Sequence, residues 1–197
     1  ATTRLIALCK PDGRPRPIGI GNTFRRLGAR ALATSYSGRF ADYFAARGQL
    51  AVGISAVSEK IATAMTLHAG LPCTQIFKGD QSSAFDTMDR TEILHGLTQL
   101  PHDLQWLTRY FRAYYHQPVL NFRRTMDGWQ PVSGYEGVSQ GDVFGMHLYA
   151  CGQDRAFTTL RAEYPNALLL AYADDLFGSV DDALTQLPLT FSRAGRR

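Results

Sequence analysis

A chain of 197 residues with 45% hydrophobic content can bury a sizeable core, which excludes an intrinsically disordered polypeptide. A formal charge of +4 and a pI near 9.1 suit an acidic partner such as nucleic acid without requiring one. The cysteines, Cys9, Cys73 and Cys151, are isolated and odd in number, which argues against a disulfide framework or a zinc knuckle, and no apolar run is long enough to span a membrane. A soluble, intracellular protein is therefore expected.

In chain order, Pro11, Asp12 and Gly13 form a tight-turn sequence between two short strands. Lys10, Arg14 and Arg16 edge this hairpin with positive charge, and the Arg16 guanidinium suits a bidentate phosphate contact. An arginine-studded helical stretch is expected from Thr23 to about Ala46, carrying Arg25, Arg26, Arg30 and Arg39, and a second helix from Ser55 to Ala69. The arginines are read either as nucleic-acid phosphate contacts or as a solvated helix face. Gln75 to Gly79 reads as a strand that ends at Asp80. Asp86 and Asp89 are expected to cap the turn before a helix from Thr91 to Leu97, with another helix from Asp103 to Tyr115 and a hairpin turning at Asp127 and Gly128.

Further along, Ser139 and Asp142 have capping-box spacing, so a helix is expected to begin there and continue through the apolar-periodic run from Val143 to about Leu160. Gly141 would keep the helix start open to a substrate. Leu168 to Tyr172 and Leu176 to Val180 then read as two strands around a tight turn, which puts Asp174 and Asp175 on a hairpin tip. Asp181 and Asp182 read instead as the N-cap and first turn of a following helix. Gathering Asp80, Asp174 and Asp175 is unfavourable unless cations hold them, and the pattern suggests a divalent-metal site on neighbouring strands. None of the five histidines has metal-ligand spacing.

Four blocks in order carry a family resemblance: Lys10 to Ile18, Asp80 to Phe85, Gly137-Val138-Ser139-Gln140-Gly141-Asp142, and Tyr172-Ala173-Asp174-Asp175. Together they resemble the reverse transcriptases. Arg16-Pro17-Ile18 followed by Arg25-Arg26-Leu27, and Gln49 with Gly53, resemble the non-LTR retrotransposon and group II intron type rather than the retroviral type. The resemblance implies an α+β right-hand polymerase fold of fingers (1–73) and palm (74–197), with a fingers-side segment inserted at about 95–137. The palm is expected to be an antiparallel sheet backed by helices. A helical thumb is not expected within this chain, and other domains of a larger retroelement polyprotein are.

The resemblance also implies roles. Asp80, Asp174 and Asp175 would hold two Mg²⁺ ions, with Mn²⁺ as a substitute, and Lys10, Arg16, Phe85, Gln140 and Gly141 would bind the deoxynucleoside triphosphate. Phe85, five residues after Asp80, would pack under the sugar and exclude a 2′-hydroxyl. Tyr172, Ala173, Arg25 and Arg26 would meet a DNA or RNA primer and an RNA template. The expected function is RNA-directed DNA synthesis. Its alternatives are a non-catalytic nucleic-acid-binding remnant and an RNA-directed RNA polymerase, the latter disfavoured by Phe85. Two departures from the family pattern stand out: Val143 replaces a proline, and Gly79 occupies a position that is usually bulkier.

Overall fold

The computed structural model describes residues 2–9, 11, 13, 15–72, 74–81 and 83–181. Lys10, Asp12 and Arg14 of the expected cationic turn, and the helix expected from Asp182, lie outside these residues. In chain order the elements are β1 (Thr2–Cys9), β2 (Pro15–Gly21), α1 (Thr23–Ser35), α2 (Ser37–Ala45), α3 (Val57–Ala69), β3 (Thr74–Asp80), α4 (Ala84–Thr87), α5 (Arg90–Thr98), a 3₁₀ turn (His102–Leu104), α6 (Trp106–Tyr115), β4 (Val119–Thr125), β5 (Gly128–Gly134), α7 (Gly145–Glu163), β6 (Leu168–Tyr172) and β7 (Asp175–Asp181). They fall into two compact units that alternate along the chain. One takes the described parts of Ala1–Tyr36 and Ser83–Gly152, the other those of Ser37–Ser82 and Gln153–Arg197.

The first unit is built on a four-stranded sheet of order β2-β1-β4-β5. β1 pairs antiparallel with β2 from Thr3 opposite Gly21 to Cys9 opposite Pro15, and parallel with β4. β4 and β5 close the expected hairpin, with Thr125 opposite Gly128. Asn22 starts α1 by accepting the Phe24 and Arg25 amides at 2.9 and 3.4 Å, which satisfies donors that a helix N-terminus otherwise leaves open. Asp89 caps α5 through the Thr91 amide at 2.7 Å. Leu97, Leu104, Leu107, Phe144 and Leu148 are completely buried and supply this unit's core.

The second unit holds a three-stranded antiparallel sheet of order β3-β7-β6. Phe157, Leu160, Leu169, Ala171, Leu176 and Val180 form its apolar cluster, with Phe77, Tyr164 and Ala167 packed against it. Alternation explains the register: Leu176, Gly178 and Val180 share the face of β7 turned to the cluster, while Phe177 and Ser179 face the other side. Phe40, Tyr43 and Phe44 give α2 a buried stripe at i, i+3 and i+4, each side chain contributing about 1.5–3 kcal/mol on burial.

Three local expectations are corrected. The helix expected to run unbroken from Thr23 to about Ala46 divides at Tyr36, whose φ and ψ of −106° and 9° leave the helical region within a helix-poor Ser35-Tyr36-Ser37-Gly38 run. The helix expected at Ser139 begins at Gly145, because residues 139–144 turn back on themselves through Asp142 N–H to Ser139 and Gly145 N–H to Asp142 carbonyl bonds at 3.1 Å each. Asp181, expected to cap a helix, is the last residue of β7.

Candidate functional site

The hairpin β6–β7 turns through Ala173 and Asp174, with Tyr172 opposite Asp175 at its mouth. Two-residue hairpins demand a positive φ at the first central position, and Ala173 meets the demand at φ 56°. On the other side of β7, Asp80 at the end of β3 lies directly opposite Asp175. Opposed residues in an antiparallel pair have Cα atoms about 4.5–5.5 Å apart and side chains on one face, so the Asp80 and Asp175 carboxylates are neighbours. Asp174 follows on the adjoining turn. Asp80 is exposed, and Asp174 and Asp175 are half-buried.

Like charges placed opposite one another destabilise a sheet unless a cation intervenes. Lys78, two residues before Asp80, supplies one: its Nζ lies 3.0 Å from Asp175 Oδ1. This is a solvent-exposed pair of small energetic value. Among the described residues no three His, Cys, Asp or Glu side chains are gathered closely enough to cage a metal ion by themselves. The donor set is nevertheless all oxygen. Two opposed carboxylates with a third on the next turn fit Mg²⁺, which uses one or two carboxylates, waters and substrate phosphates rather than an all-protein cage.

The tip is held from below by two side-chain amides. Gln49 Oε1 accepts the Ala173 N–H at 3.2 Å, and Gln49 Nε2 donates to the Ala173 carbonyl at 3.2 Å and to Gln153 Oε1 at 2.7 Å. Gln153 Nε2 donates to the same carbonyl at 3.4 Å. Gln49 already stands out in the sequence beside Gly53, whereas Gln153, one polar residue within a helical run, carries no signal there.

In the other unit, Phe85 is half-buried and stacks on Tyr149, with ring centroids 4.6 Å apart and planes at 17°. Its carbonyl accepts the Val138 N–H at 2.8 Å, which ties α4 to the start of the Gly137–Asp142 segment. Gln140 Nε2 donates to Asp86 Oδ2 at 3.2 Å. Desolvation raises the Asp86 pKa, and the Gln140 bond opposes the rise. Asp86, expected as a cap, is thus a partner of Gln140. Gly141 has φ 104°, and a Cβ there would strike the Gly19 carbonyl, so this glycine lets two backbones meet. The Gly19 N–H donates to the Gln140 carbonyl at 2.6 Å. Pro17, Gly19, Asp86, Arg90, Asn121 and Gln140 help line a cleft of about 460 Å³.

The arginines divide by partner. Arg16 is exposed on β2, and Arg26 is half-buried on α1. Arg25 pairs with Asp142, donates to Tyr110 Oη at 3.0 Å and lies 3.9 Å from the Tyr114 ring centroid. Burial, the largest single effect, lowers the Arg25 pKa, but Asp142, Tyr110 and Tyr115 together outweigh it and the net direction is up. Asp142 also accepts from Tyr110 and Tyr115 at 2.6 Å each, and both phenols are pushed up, first by burial and then by the Asp142 charge. Arg90, which the sequence does not flag, donates to the carbonyls of Gly137, Tyr115, Gly134 and Glu136 at 3.0–3.3 Å. It fixes the loop entering the Gly137–Asp142 segment. Lys10 lies outside the described residues.

Asp80, Tyr172, Ala173, Asp174 and Asp175 therefore meet at one end of the second unit's sheet, and Phe85, Gln140 and Gly141 belong to connected segments of the first. No helix among the described residues is long and apolar enough to cross a membrane.

No protein-family model and no curated protein matches the sequence. Solved structures do match the fold. Telomerase from Candida tropicalis, in complex with a TWJ fragment of telomeric RNA, superposes with a TM-score of 0.66 at 12% identity over 98% of this chain and 39% of its own. Telomerase from Candida albicans, in a like complex, gives 0.65 at 12% identity over 96% of this chain and 38% of its own. Apo telomerase from Candida tropicalis truncated from its C-terminal domain gives 0.61 at 11% identity, over 98% and 46%. The chain spans less than half the length of these structures. Telomerase is a reverse-transcriptase-related enzyme, and at this identity the likeness shows a reverse-transcriptase-like, mixed α/β fold.

Proposed function

We propose that this chain carries the fingers and palm of an RNA-directed DNA polymerase, of the non-LTR retrotransposon or group II intron type, within a larger retroelement polypeptide. The observation that carries the reading is Asp80 opposite Asp175, with Asp174 on the adjoining turn, in a reverse-transcriptase-like fold. Asp80 and Asp174 are the direct ligands of two divalent ions in this proposal, and Asp175, engaged by Lys78, takes a lesser share. Bound Mg²⁺, or Mn²⁺ in its place, supplies acidification of the primer 3′-hydroxyl and charge stabilisation of the departing pyrophosphate. The protein itself provides no nucleophile.

Phe85, backed by Tyr149, packs beneath the deoxyribose and denies space to a 2′-hydroxyl, which favours DNA synthesis over the RNA-polymerase alternative. Gln140 and Gly141 meet the nucleotide and the templating base, and Lys10 and Arg16 the triphosphate. Tyr172 and Ala173 lie beside the primer end, while Arg26 touches the template backbone. Arg25 contributes to the template side by holding α1, since its own donors already serve Asp142 and Tyr110.

Primer extension on an RNA template, with deoxynucleotides and Mg²⁺ or Mn²⁺, tests the proposal by comparing the chain with Asp174→Asn at equal concentration. The substitution is expected to lower extension by about 10³-fold or more, roughly 4 kcal/mol of transition-state stabilisation. Equal extension from both proteins removes Asp174 from the mechanism. RNA binding without extension by either protein favours the non-catalytic remnant, a reading to which the Lys78–Asp175 pair also lends itself because it neutralises one carboxylate without a metal.

A further inference from the structure

We infer that Gln49, seconded by Gln153, is a positioning residue that sets the Asp174–Asp175 tip by holding Ala173 in the left-handed conformation. What the tip then does rests on the polymerase reading above. Ala173 has a φ of 56°, which crowds its Cβ; glycine has no Cβ to crowd, and asparagine tolerates the conformation through local hydrogen bonds. Such a conformation persists at a non-glycine residue only where the surroundings over-determine it.

The surroundings do so here. Gly48 adopts φ 75°, and its neighbour Gln49 joins β6 through a parallel bridge to Ala171. The Leu50 N–H donates to the Ala171 carbonyl and the Ala171 N–H to the Gly48 carbonyl, both at 2.7 Å. From that anchor the Gln49 side chain, only 3% exposed, runs to the residue two places farther along the hairpin and pairs with both its main-chain groups, as a peptide of an adjacent strand would.

The orientation of the amide follows from its neighbours. Gln49 Oε1 faces two main-chain donors, the N–H groups of Ala173 and of Ala51 at 3.1 Å, so the reversed amide would set donor against donor. Its Nε2 donates twice, to Gln153 Oε1 and to the Ala173 carbonyl. The full donor and acceptor capacity of Gln49 is thereby used, and the Ala173 carbonyl receives an amide from each glutamine. A buried network in which every member is satisfied holds one geometry. Alanine, whose left-handed well is narrow, then makes a stiffer tip than glycine would, and the next two residues are the carboxylates.

Four proteins decide the matter: wild type, Gln49→Met, Ala173→Gly and the double variant. Methionine keeps the volume and removes every hydrogen bond. Two readouts are taken: hydrogen exchange of the Ala173 amide without metal, and Mn²⁺ binding followed by electron paramagnetic resonance. Gln49→Met is expected to speed Ala173 exchange at least about tenfold and to weaken Mn²⁺ binding about tenfold, the range seen when the support of a metal ligand is removed. Ala173→Gly should restore most of the Mn²⁺ affinity in the Gln49→Met background, because glycine adopts the turn unaided. Unchanged Ala173 exchange, or a Mn²⁺ loss that glycine does not relieve, overturns the inference and leaves Gln49 an ordinary buried amide. Should Gln49→Met fail to fold, Gln153→Met removes one amide from the Ala173 carbonyl and is expected to give the same pattern at smaller amplitude. Mn²⁺ bound equally by wild type and Asp174→Asn sinks the metal reading alone, and Ala173 exchange then decides the inference by itself.

Discussion

His147 shows how much the surroundings of one residue decide. Its Nδ1 is sealed from water within α7, and burial pushes the imidazole down to about 4 against a weaker upward pull from Asp142. The folded protein therefore keeps this ring neutral, while the unfolded chain protonates it near pH 6.5. Between those values the unfolded state binds more protons, so the contribution of His147 to stability is complete above about pH 7 and is lost as pH falls toward 4. The loss between pH 7 and pH 5 is up to about 2 kcal/mol. Urea unfolding at both pH values, wild type against His147→Gln, should show the larger drop for wild type; equal drops would mean that the folded ring takes up a proton as readily as the unfolded one. In the sequence His147 is one more helix or surface histidine, since nothing local reveals which face of a helix the distant aromatic residues will cover.

Asp142 makes the same point for elements. By spacing it belongs to a capping box with Ser139, and it does accept the Phe144 N–H at 3.1 Å just before α7. Its other partners come from far along the chain: Arg25 of α1, and Tyr110 and Tyr115 of α6. The side chains of Arg25 and Asp142 are 11% and 2% exposed, so their charges have little access to water. Breaking a buried pair from one side strands the other charge at a cost of about 3–5 kcal/mol, whereas replacing both partners with apolar groups of similar size is far milder. Asp142→Asn should therefore lower the denaturation free energy by about that amount, and Arg25→Met with Asp142→Leu by clearly less. A double variant as unstable as the single one would refute the idea of a mutually dependent pair. Local pattern revealed the paired strands of all three hairpins and the body of α7, because turn residues and apolar alternation act over a few positions. It missed the break at Tyr36 and the partners of Asp142, Arg90 and Gln153, which depend on which segments meet.

At the scale of the molecule, the chain leaves one unit after Tyr36, returns at Ser83 and crosses again after Gly152 in the middle of α7. No composition shift marks these crossings, so the ordered blocks point to a reverse-transcriptase-like fold while local composition does not reveal how the chain alternates between the units. Charge is distributed as unevenly as structure. Arg25, Arg47, Arg90 and Arg161 are engaged by the protein itself: Arg47 pairs with Asp154 at 3.0 Å and Arg161 donates to the Leu169 carbonyl at 3.3 Å. If the chain binds nucleic acid as proposed, its net charge of +4 acts on that partner through other side chains. Arg16 on β2 and Arg26 and Arg30 on α1 belong to one unit, Arg16 and Arg30 exposed and Arg26 half-buried, with the α1 pair four residues apart on one helix face. If they meet phosphates, each releases counterions on binding, and the salt dependence of single-stranded RNA affinity should carry about 0.7 per contact in its logarithmic slope. Replacing all three with alanine is expected to flatten that slope by about 2, measured by fluorescence anisotropy across a salt series. Arg47→Met removes the same unit of charge from a residue already paired and should leave the slope unchanged. If Arg47→Met flattens the slope as much per charge as the triple variant does, RNA responds to net charge alone and the three arginines form no defined path.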